Sequence, residues 1–78
     1  MLEKLGLELQ EMYYAAPEGR KGTMFLLFGI MHAEEIKRSM LSPKDIIDSS
    51  GLKKSFATEI NKGVRLADYV FIKEDAVI

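Results

Sequence analysis

Apolar and polar positions follow one another along this chain with the spacing of helices rather than strands. Leu2, Leu5, Leu9 and Met12 recur every three or four residues, and Glu3, Lys4, Glu8, Gln10 and Glu11 fill the other side. This spacing predicts a first helix over 2–14, with Gly6 as a point of close contact. Pro17, Gly19 and Gly22 then crowd into 15–22, which reads as a loop. Thr23 is a capping residue for a second helix over 24–40. Its first half, Met24 to Met31, is apolar nearly all round, as suits the middle of a core or an oligomer interface. Its second half turns amphipathic, with Ile36 and Met40 on the inner stripe. A buried strand at 24–28 is the alternative for so short an apolar run; the lack of valine and of a pairing turn there favours helix.

The second half of the chain carries stronger punctuation. Ser42 is a good N-cap, Pro43 suits the first helical position, and Asp45 favours the positive end of a helix. A third helix is expected over 43–49, anchored by Ile46 and Ile47. Gly51 can end it in the left-handed conformation, and Leu52 follows as an apolar plug. A fourth helix is expected over 54–69, with Phe56, Ile60, Ala67 and either Val64 or Leu66 facing inward. Gly63 within it marks close packing or a kink. Residues 70–78 read as an end to that helix, a lone strand or a tail; a lone strand would need another subunit to pair with. The expected fold is a single all-α, four-helix domain over 1–78. Its core comprises Leu5, Leu9, Phe25, Phe28, Ile36, Ile46, Leu52, Phe56 and Ile60.

Composition narrows the functional classes. A chain of 78 residues has room for one domain, and 47% hydrophobic residues supply enough apolar material for a core. The absence of cysteine excludes disulfides, zinc ribbons, iron–sulfur clusters and a thiol nucleophile, and suits a cytoplasmic location. Glu3, Lys4, Glu8 and Glu11 interrupt any signal-peptide core, and the run Met24 to Met31 is too short to span a bilayer. Net charge is −1, but the charges are not evenly spread. Residues 1–19 set Lys4 against four glutamates, and residues 66–78 set Lys73 against Asp68, Glu74 and Asp75. Between them, residues 20–65 hold nine basic and five acidic residues. A basic middle between acidic ends can present a local positive face.

The segment 42–70 combines a short capped helix, a glycine turn followed by an apolar residue, and a longer helix. In this it resembles a helix–turn–helix DNA-binding domain. Gly51 matches the turn glycine and Leu52 the apolar residue after it. Ile46 and Ile60 fall where that family buries apolar side chains, and Ala57 is an acceptable small one. Two residues depart from the pattern. Ile47 stands where alanine usually lets the helices cross closely, and Phe56 adds an apolar residue one place early. The resemblance implies that the fourth helix enters the major groove of double-stranded DNA with its N-terminal half on base edges. Lys53, Lys54, Ser55, Thr58, Glu59 and Lys62 would then face outward, and Arg65 would reach the backbone. The lysines would neutralise phosphate or bond guanine, and Glu59 would accept from a cytosine amino group. A plain helical hairpin, with Glu59 pairing Lys62 on a solvated face, accounts for the same residues without DNA.

Other constellations fall short of chemistry. His32 and Glu35 share one helical face, but two ligands do not make a metal site. Ser49 and Ser50 have no paired base. Arg20 and Lys21 between Gly19 and Gly22 lack the Walker spacing and read as a basic loop. Tyr13 and Tyr14 beside that loop could stack on bases, but more simply straddle the core boundary. No catalytic residue, metal or cofactor is expected. The reading is therefore a non-enzymatic DNA-binding protein, a regulator or docking module. It would act as a homodimer through the early second helix and Val70-Phe71-Ile72. The alternative is a protein-interaction module, such as a helical adaptor or an inhibitor of a partner enzyme.

Overall fold

The structure, a computed structural model, describes residues 1–73. It contains helices α1 (Leu2–Ala15), α2 (Lys21–Met31), α3 (Ala33–Ser39), α4 (Pro43–Ser50) and α5 (Ala57–Leu66). A single 3-10 turn, Lys54–Phe56, precedes α5, and no strand is present among the described residues. The all-α expectation holds, and none of these helices is long and apolar enough to cross a membrane.

Two pairings organise the fold: α5 packs most extensively on α2, and α4 on α1. Leu5, Leu9, Phe25, Phe28, Ile36, Ile46 and Ile60 are buried as the spacing predicts, joined by Ala33, Ile47 and Val64. Leu52 and Phe56 are partly buried at the edge of this cluster. Of the two candidates on α5, Val64 faces inward and Leu66 is exposed.

The closest crossing is backbone on backbone. Gly29 of α2 and Gly63 of α5 face each other, so that a methyl added to either would fall onto a carbonyl oxygen of the opposite helix. It would also come within 3.0 Å of the facing glycine Cα. Gly63 thus marks close packing, not a kink, and Gly29 is its necessary partner. Gly6 is likewise in close contact, against Ser49 of α4.

Four features of the helix boundaries differ from the expectation. The second helix is two helices, because the chain breaks at His32, with φ −109° and ψ 18°. No proline or glycine marks that position; the break lets both Ala33 and Ile36 enter the core. Met40, expected on the inner stripe, instead ends α3 in the left-handed region at φ 60° and is 90% exposed. Helix α2 begins at Lys21, not after Thr23, because Lys21 is held in place. Its Nζ donates to the carbonyl oxygens of Tyr13 (2.9 Å) and Ala16 (3.3 Å) at the end of α1 and lies over the Tyr13 ring. The expected fourth helix, 54–69, is a 3-10 turn followed by a shorter α5. The side chain of Phe56 there stacks on Phe25, with ring centroids 4.2 Å apart and planes 4° from parallel. Residues 67–69 leave α5 in turns, and 70–73 are irregular. The rest of the segment considered as strand or tail, 74–78, lies outside the described residues.

Candidate nucleic-acid interface

The turn between α4 and the 3-10 segment is built by short side chains. Ser42 and Asp45 form a reciprocal capping box: Ser42 Oγ accepts from the Asp45 N–H (3.1 Å), and Asp45 Oδ2 accepts from the Ser42 N–H (3.4 Å). At the far end of α4, Gly51 takes φ 77° and donates its N–H to the Ile47 carbonyl at 3.1 Å. The buried Ser50 hydroxyl donates to Ile47 O (2.7 Å) and accepts from the Leu52 N–H (3.2 Å), which directs the chain out of the turn. Gln10 of α1 donates to the Ser50 carbonyl (3.3 Å), tying this turn to the first helix.

Ile47 fits despite standing in the place of a small residue. It is fully buried, and α4 packs chiefly on α1, with a lighter contact to α5. Close α4–α5 crossing, which would demand alanine there, is not how this domain is held together. Phe56, the other departure, is explained by its stack on Phe25.

The structure divides the seven sequence-derived candidates into two groups. Lys53, Lys54 and Ser55 are exposed, but they precede α5, in the turn and the 3-10 segment. Lys54 Nζ lies 3.5 Å from Asp48 Oδ1. Thr58, Lys62 and Arg65 are exposed on α5 itself, whose opposite face carries the buried Ile60, Gly63 and Val64. Glu59 is half-buried, and its Oε1 lies 3.5 Å from Lys62 Nζ. Two exposed residues outside that set share the surface: Asn61 on α5 and Lys44 in the first turn of α4. Asn61 stands three residues after Thr58 and four before Arg65, so helical spacing alone could have found it.

His32 gains a third member for its cluster. Its Nδ1 lies 2.7 Å from Glu35 Oε1, and its Nε2 contacts Glu8 Oε2 on α1, joining three helices at the α2–α3 break. The Glu35 carboxyl is held below its ordinary value, first by the hydrogen bond with His32. Partial desolvation opposes this, while the charges of His32, Lys4 and Arg38 add to the lowering. Among the described residues, no group of three or more such side chains is arranged to hold a metal ion.

An all-helical domain with a capped helix, a glycine turn and a following helix whose outer face is free defines a helix–turn–helix-type protein. The comparison with known families agrees: the chain belongs to the HTH-like domain family, whose model matches residues 1–73. Membership supports a DNA-binding or regulatory role in general terms. No curated protein and no solved structure matches the chain.

Proposed function

We propose that this protein is a non-enzymatic, cytoplasmic module that binds double-stranded DNA through the outer face of α5 and acts as a regulator or docking component. The observation that carries this reading is the exposure of Thr58, Lys62 and Arg65 on one face of a helix whose other face is locked against α2, in an HTH-like domain. Lys53, Lys54 and Ser55 in the preceding turn extend that surface, and Glu59 tempers it by pairing with Lys62. The basic side chains contribute phosphate contacts, whose affinity falls with added salt.

The module works as a homodimer in this reading. Phe71 is 100% exposed beside a groove of about 460 Å³ whose walls include Ile30, Met31, Ala67 and Val70. An exposed aromatic at a largely apolar groove, whose rim also carries Glu34 and Glu35, suits association, and pairing would double a basic surface that is thin in one copy. The test is binding of the whole chain to random duplex DNA at low and moderate salt, with sedimentation under the same conditions. Steep loss of binding with salt and a dimeric mass are expected. Absence of binding at low salt would move the assignment to the protein-interaction module, for which the same groove is the docking candidate.

A further inference from the structure

Asn61 and Lys44 belong to different helices, yet they line one shallow cleft of about 370 Å³ together with Ser42, Pro43, Ala57 and Thr58. We propose that this cleft, rather than the turn that precedes α5, is where the domain reads sequence. Asn61 would contact an adenine in the major groove, and Lys44 would hold the adjacent phosphate. The inference rests on the DNA-binding reading and goes further by assigning the base contact and its preference.

Three observations carry it. First, much of the neighbouring polar surface is already engaged: Lys54 faces Asp48, and Glu59 faces Lys62. Among the described residues, the Asn61 amide makes no such contact and Lys44 has no acidic partner within ion-pair distance. Second, the chemistry of the cleft is selective. A side-chain amide offers a donor and an acceptor side by side, which matches the N6 and N7 groups of adenine. Ala57 and Pro43 give the cleft apolar lining, and small apolar groups suit the thymine methyl of the same base pair. Third, the cleft has firm walls. The α4 side is held by the Ser42–Asp45 capping box, and α5 by its crossing with α2. A base edge entering here would meet side chains whose backbones are already fixed, which lowers the entropic cost of recognition.

Fluorescence anisotropy with duplexes selected from a random library provides the test. The wild type should select sites containing an A·T pair that are bound more tightly than scrambled duplexes. Asn61→Ala should lose roughly ten- to a hundredfold on the selected site and bind selected and scrambled duplexes alike. Asn61→Gln, which keeps the amide, should recover part of the preference. Lys44→Ala should weaken binding to every duplex equally and lower the salt slope by about one unit. Circular dichroism melting of each variant separates loss of contact from loss of fold. If Asn61→Ala keeps the wild-type preference, or the wild type binds DNA with no preference, the cleft is not the reading site although DNA binding stands. If the wild type binds no duplex at low salt, the DNA-binding reading itself fails.

Discussion

Helix α5 meets its neighbours in two opposite ways. Against α2 it has no side chain at the closest point: Gly29 and Gly63 bring the two backbones together, with Ile60 and Val64 buried on the same face of α5. Toward α4 it keeps its distance, and the gap is a cleft lined by Ser42, Lys44, Thr58 and Asn61. One junction is closed and apolar, the other open and of mixed polar and apolar lining, and they flank the same ten-residue helix. The closed side gives α5 a fixed position that no contact with a ligand has to supply. On the open side Lys44, Thr58 and Asn61 are exposed and lie outside the core, whereas Ser42 caps α4.

That contrast can be broken by substitution, and the largest effect should come from the core beneath the closed junction. Phe28 of α2 is fully buried, so Phe28→Ala should cost about 3–5 kcal/mol in urea denaturation. A loss well below about 1 kcal/mol would mean that α2 is not the centre of the core. Next comes Gly63→Ala. A helix-interior alanine ordinarily gains about 1 kcal/mol over glycine. Here its methyl would meet the Leu26 carbonyl oxygen, and forcing helices apart costs typically about 1–3 kcal/mol, occasionally more. Net destabilisation is expected, whereas Gly22→Ala, at a helical glycine with nothing within 4 Å, should be neutral or stabilising. Equal effects at the two sites would remove the closed junction from the account.

The open junction should respond more weakly. Ser42→Ala removes the cap that orients the first turn of α4 and should cost about 1 kcal/mol. Thr58→Ala, on the exposed face of α5, should change stability by less than about 0.5 kcal/mol. A larger loss would show that the cleft is a structural contact. The smallest effect concerns the joint among α1, α2 and α3. The lowered value of Glu35 means that its ionised form is favoured in the folded state. Its contribution is present above the ordinary glutamate range and is lost as pH falls through the lowered folded value. Glu35→Gln should therefore remove a small part of the acid-side decline in melting temperature. An unchanged profile would show that the carboxylate adds nothing to the joint.

Some of this was legible in the residues themselves. Leu5, Leu9, Ile36, Ile46 and Ile60 declare an inner face by their spacing, and Ser42, Pro43 and Gly51 declare the ends of α4, because capping and a left-handed turn are local properties. The outward positions Thr58, Lys62 and Arg65 follow from the same periodicity. The rest required three dimensions. Nothing next to His32 in the chain marks a break; its ring contacts Glu8, twenty-four residues earlier. Gly29 has meaning only opposite Gly63, Phe56 only against Phe25, and Ile47 only because α4 leans on α1 instead of crossing α5 closely. Lys44 and Asn61 lie seventeen residues apart and share a cleft only once α4 and α5 have docked on their separate partners. The ends of α4 and the inner faces of α1, α4 and α5 depend on neighbours within a turn or two, so the sequence by itself determined them. The start of α2 and the place of Met40 depended on contacts from elsewhere in the fold. Crossings and clefts depend on which faces meet, and only the tertiary structure decided that.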